Sequence, residues 1–150
     1  MKRSSLLAGL SLAAALAVVA SGVSAQDPIA KRKEIMKGVG AAAKASNQMI
    51  KGEIAYDAKA AADSMTKVAS SVPELVKLFP KGSETGGETT ASPKIWETFK
   101  DFEDKATGLA TAAAAAATEA AKGPDAFKAA WGAVGGTCKG CHEVYRIQKK

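Results

Sequence analysis

Residues Ser92 to Asp125 read SPKIWETFKDFEDKATGLATAAAAAATEAAKGPD, a stretch that opens on Ser-Pro, closes on Gly-Pro and holds six consecutive alanines at Ala112 to Ala117. Alanine is the best helix former. Ser92 can accept an orphan N–H of a first turn, and Pro93 fits the first helical position, where its missing donor costs nothing. Gly123-Pro124 supplies a stop and the next start. The stretch is therefore read as one long helix over about Pro93 to Lys122. Trp96, Phe99 and Phe102 lie close to one stripe of it, and the alanine run would let a neighbouring helix approach closely.

The same signals recur outward. Asp27-Pro28 opens a helix over about Pro28 to Lys51, with Ile29, Met36, Val39, Ala43 and Ile50 near one stripe. Asp57, after the break at Gly52 to Tyr56, opens a second over about Asp57 to Ser71, which Pro73 should end or kink. Gly123-Pro124 opens the last, over about Asp125 to Gln148, with Phe127, Trp131 and Val134 on one face. Pro80 to Ala91, rich in Gly, Ser and Thr, is the longest connection. Between Gln26 and Lys150 there are 26 alanines and few β-branched or aromatic residues. The fold class is all-α, an antiparallel four-helix bundle.

The first 25 residues have another character. Lys2 and Arg3 precede an apolar run from Leu6 to Ala20 and a small-residue exit at Val23-Ser24-Ala25. This is the layout of a cleavable secretory signal, and the run is short for a membrane span, which needs roughly 20 apolar residues. The expected organisation is a signal peptide over 1–25 and one domain over 26–150, exported and not embedded in a membrane. That domain carries 19 basic and 15 acidic groups, a formal charge of +4. With lysine and glutamate interleaved and no dense basic cluster, nucleic acid is an unsuitable partner.

Chemistry concentrates at Cys138-Lys139-Gly140-Cys141-His142, which holds both cysteines and the single histidine of the chain. C-x-x-C-H is the attachment pattern of c-type haem. On a helix the three side chains fall at i, i+3 and i+4 and share a face, so two thioethers can hold a porphyrin edge while the imidazole meets the iron. The rival readings are weaker. Zinc normally wants two further Cys or His ligands, which the chain lacks; a thioredoxin-like pair wants a βαβ setting; a structural disulfide across two residues would remove little chain entropy. One haem c per chain is the expected cofactor, and it would also fill the interior of an alanine-rich bundle.

With these residues in hand, the sequence resembles the class II c-type cytochromes, the cytochromes c′ and c-556. The resemblance spans Gln26 to Lys150. It is carried by the C-terminal CKGCH, by Ala30-Lys31-Arg32-Lys33-Glu34-Ile35-Met36, Leu78-Phe79-Pro80 and Ser92-Pro93-Lys94-Ile95-Trp96, and by Tyr145-Arg146. It implies a periplasmic four-helix bundle, often a homodimer, with Cys138 and Cys141 bound to haem and His142 an axial iron ligand. It also implies that Met36 approaches the opposite axial position. As a ligand, Met36 would give a six-coordinate electron carrier. As packing, it would leave a high-spin five-coordinate iron open to NO or CO. Met49 and Met65 are read as core.

Arg32, one turn before Met36, resembles the arginine that cytochromes c′ place beside a haem propionate; otherwise it is an exposed base between Lys31 and Lys33. Arg146 resembles a basic residue of the proximal pocket, or is a solvated charge favoured by the helix dipole. Tyr145 either hydrogen-bonds near the proximal side or points to solvent. Phe79, Trp96, Phe99, Phe102, Phe127 and Trp131 are expected in the core or against the haem. The partners implied are redox proteins, which Lys139, Lys149 and Lys150 could attract. No second histidine or paired carboxylates suggest an enzyme.

Overall fold

A computed structural model describes residues 27–147. The secretory signal expected over 1–25, and the C-terminal Lys149 and Lys150, lie outside the described residues. Helix α1 runs over Pro28–Ile50, and the Asp27 carboxylate accepts the Ile29 N–H at 2.9 Å. Helix α2 covers Ala58–Val76 behind Asp57, whose carboxylate accepts from Ala60 N–H at 2.9 Å. A short α3, Lys94–Glu97, is followed by α4, Phe99–Ala120, and α5, Pro124–Tyr145. Gly123, at φ +114°, makes the turn into α5 in a region that side chains with a Cβ avoid.

Three expectations about the elements need correction. The third helix is interrupted at Thr98, where φ −129° and ψ +49° leave the helical region. Ile95 before the break and Phe102 after it are buried, while Phe99, the first residue of α4, is 37% exposed. Pro73 does not end α2, which continues to Val76 because Val72 and Leu75 on either side are buried in the core. The last helix stops at Tyr145, three residues early, as Arg146 turns extended and pairs with Ala91 in an isolated antiparallel bridge.

The four long helices form an antiparallel bundle in which α4 packs against both α2 and α5, and α1 against α2. Contact between α1 and α5 is sparse. One core cluster joins Met65 and Val68 to Ala113, Ala116, Phe127 and Val134. A second gathers Leu75, Phe79, Ile95, Phe102 and Tyr145 at the other end of α4. Met49 and Met65 are buried in the first cluster, as expected of core methionines. At the far end of α4 the carbonyl of Ala120 accepts from the Tyr56 hydroxyl at 2.7 Å and from the Gly123 N–H at 3.3 Å.

Candidate haem site

A cavity of about 550 Å³ opens where α1 and α5 separate. Cys138, Cys141 and His142 line it from α5, and Met36, Val39 and Ala43 from α1. The stripe expected on α1 is thus two adjacent faces. Ile29, Arg32, Val39, Ala42 and Met49 are buried, while Met36 and Ala43 are half-buried and turned to the cavity. Leu75, Phe79, Phe102 and Leu109 complete a largely apolar wall. The volume is in the ordinary range for a cofactor pocket, about 300–1,000 Å³.

The donor set fits haem c. Both thiols are free, half-buried and line the cavity, and burial raises their pKa. Among the described residues no three Cys, His, Asp or Glu groups gather as a metal-binding cluster. Burial, and secondarily the charge of Arg146, lowers the pKa of His142, so the imidazole is neutral at pH 7, the form that ligates iron.

Arg32 is 4% exposed and not the solvated base its neighbours suggested. Its Nε donates to the Leu78 carbonyl at 2.7 Å, Nη1 to the Ser83 carbonyl at 3.0 Å, and Nη2 to Ser83 Oγ. The guanidinium lies 4.0 Å from the Phe79 ring centre and 5.3 Å from that of Trp96. Burial lowers its pKa, opposed by the charges of Asp27 and Glu84. It therefore ties α1 to the connection after α2 and forms one wall of the cavity.

Tyr145 is buried, which resolves its two readings in favour of internal hydrogen bonding. Its hydroxyl is 2.8 Å from Thr98 Oγ1 and donates to Asp101 at 2.6 Å, which fastens the end of α5 to the break between α3 and α4. Arg146 is exposed, lines the cavity, and gives its backbone N–H to the carbonyl of His142 at 3.2 Å. Ser92 N–H to Tyr145 O at 3.0 Å and Ile147 N–H to Thr90 O at 2.8 Å complete a strap beside the motif. Thr89, Thr90 and Ala91, expected only as loop, line the cavity through this strap.

The motif reading also missed Lys33, Lys37 and Lys105, which line the cavity. Lys33 and Lys37 sit four apart around Met36, a spacing visible in the chain; Lys105 had no such signal. Lys139, in contrast, is 3.7 Å from Glu143 and is not among the lining groups.

Residues 27–146 match the family described as Cytochrome C′. The chain is 43% identical over 138 residues to a cytochrome c′ of Rhodopseudomonas palustris, covering 91% of this chain and 94% of the relative. It is 35% identical over 130 residues to a cytochrome c-556 of Agrobacterium fabrum, covering 87% and 88%. The solved cytochrome c′ from Rhodopseudomonas palustris superposes with a TM-score of 0.79 at 42% identity, over 83% of this chain and 98% of that one. With its C-x-x-C-H face turned into a haem-sized cavity of a four-helix bundle, the chain belongs to the cytochrome c′ family of class II c-type cytochromes and takes haem c as its prosthetic group.

Proposed function

We propose that this protein is a periplasmic one-electron carrier, released from a leader over 1–25, with His142 and Met36 as the two axial ligands of the haem. The carrying observation is that Met36, from α1, lines the same cavity as His142, from α5. Histidine with methionine is a standard electron-transfer ligand pair. When bound, haem c supplies an iron that alternates between ferric and ferrous states. The chain does the rest. Cys138 and Cys141 hold the ring by its edge, His142 presents a neutral nitrogen, and Met36 presents its sulfur. Leu75, Phe79, Phe102 and Leu109 exclude water, which limits solvent reorganisation when the charge changes. Arg32 retains donors beyond the three already engaged, and in this reading they hold a ring carboxylate; Arg146 stands on the His142 side.

A second reading is gas binding, with Met36 as packing only. It is favoured by a solved nitric oxide complex of a mutant cytochrome c prime from Alcaligenes xylosoxidans, 26% identical over 82% of this chain and 95% of that one, with a TM-score of 0.73. Absorption spectra of the oxidised and dithionite-reduced holoprotein, with and without CO, separate the two. The carrier reading expects sharp low-spin bands indifferent to CO, and a Met36→Ala protein that becomes high-spin and binds CO. A broad high-spin spectrum that shifts with CO in the unaltered protein would overturn it and leave gas binding.

A further inference from the structure

The charged side chains that line the cavity are of one sign, with Asp27, Glu84 and Asp101 acting on them from outside the lining. Arg32, Lys33, Lys37, Lys105 and Arg146 line it, and among the described residues no aspartate or glutamate does. Elsewhere many lysines are neutralised by a neighbour on their own helix: Lys31 by Glu34, Lys59 by Asp63, Lys77 by Glu74 and Lys122 by Glu119, at 2.6 to 2.8 Å. At the cavity, Lys33, Lys37 and Arg146 form no ion pair among the described residues, and Lys105 is 3.9 Å from Asp101, whose carboxylate also accepts from Tyr145. Against five lining cations, Asp101 and two haem carboxylates would still leave a net positive mouth.

The arrangement is unlike a small-anion site. Arg32 is the one buried cation, and three of its donors are taken by Leu78 and Ser83. Lys33, Lys37 and Arg146 are exposed, and Lys105 is half-exposed; they stand on three different helices or their ends. Beside them Ile147, 51% exposed, hydrogen-bonds through its N–H to Thr90, itself part of the cavity wall. A ring of separated cations with an apolar residue at its edge matches a broad protein surface of opposite charge. A second copy of this chain docking through the same face would meet like charges and be repelled.

We propose that the cavity mouth, bounded by Lys33, Lys37, Lys105, Arg146 and Ile147, is the docking face for an acidic surface on the electron-exchange partner. This rests on the carrier reading and adds to it the place and chemistry of contact. Docking here brings the partner to the cofactor by the shortest route, and opposite charges raise the encounter rate by about 10 to 1,000-fold at low ionic strength.

The test is titration of the ¹⁵N-labelled, haem-loaded protein with poly-L-glutamate, followed by amide shifts, in about 20 mM and 300 mM salt, where screening differs several-fold. Saturable shifts are expected at Lys33, Lys37, Lys105, Arg146 and Ile147, lost at high salt. The Lys33→Glu/Lys37→Glu protein should bind about tenfold or more weakly, whereas Lys59→Glu should bind as the parent does. Shifts spread over Lys59 and Lys128, or unaltered by the double reversal, would overturn the proposal. Equal saturation by inorganic phosphate would make the mouth a small-anion site, and preferential binding to phosphatidylglycerol vesicles would make it a membrane-facing surface; either result also overturns it. An unchanged absorption spectrum in Lys33→Glu/Lys37→Glu shows that the haem site survives. Failure of Met36 ligation in the CO experiment would sink the carrier reading without moving these shifts, so the two failures are distinguishable.

Discussion

Arg32 brings a positive charge into the protein interior and meets it with two carbonyls, a hydroxyl and two aromatic faces. Removing it strands the Leu78 and Ser83 carbonyls, each worth about 1–3 kcal/mol when buried without a partner. Arg32→Ala should therefore lose about 2–4 kcal/mol of stability in denaturant titration of the holoprotein. Arg32→Lys should recover little of it, because an ammonium cannot reproduce the planar fork. Tyr56 offers a test by pH. Burial first, and Asp57 second, raise its phenol pKa above 10.0, and ionisation would remove the proton it gives to Ala120. Its contribution is therefore complete below the unfolded phenol pKa and is lost as pH rises through the higher folded value. Denaturant titrations across pH 9 to 11 should show that loss, and Tyr56→Phe should make it shallower; equal slopes would refute the assignment.

Helix α4 shows how small side chains set the spacing between elements. Ala113, Ala116 and Ala120 are fully buried in the core, whereas Ala114 is exposed. Ala116→Leu should cost about 1–3 kcal/mol by overpacking, and Ala114→Leu should be near neutral, with thermal unfolding as the measurement. Helix α2 carries the opposite imperfection, since Pro73 denies the Ala69 carbonyl its helical donor. Because Pro73 is exposed and the helix runs on regardless, Pro73→Ala should gain about 1–3 kcal/mol. The alanine spacing and the proline were both visible in the chain. What outweighed the proline was the burial of Val72 and Leu75, a consequence of packing that local rules do not contain.

Across the bundle, stability is uneven. The α2, α4 and α5 helices pack extensively, while α1 meets α2 and scarcely touches α5, with the cavity between them. Haem should therefore hold α1 more than any other helix. A Cys138→Ser/Cys141→Ser protein prepared without haem should show hydrogen exchange accelerated most in Pro28–Ile50, with α4 still protected. Uniform acceleration over all four long helices would show that the cofactor supports the whole bundle equally.

The haem motif, the all-helical class and the order of four long helices were legible in the chain because each depends on near neighbours. C-x-x-C-H needs only helical spacing, and the starts at Asp27, Asp57 and Gly123 need only capping groups and prolines within a turn. The interruption at Thr98, the bridge from Ala91 to Arg146, the burial of Arg32 and the grouping of Lys33, Lys37 and Lys105 around one cavity join residues tens of positions apart. Such contacts depend on how the helices cross, and that is settled by the summed packing of all four. The local pattern thus named the cofactor, and the three-dimensional arrangement decided which charges, carbonyls and rings surround it.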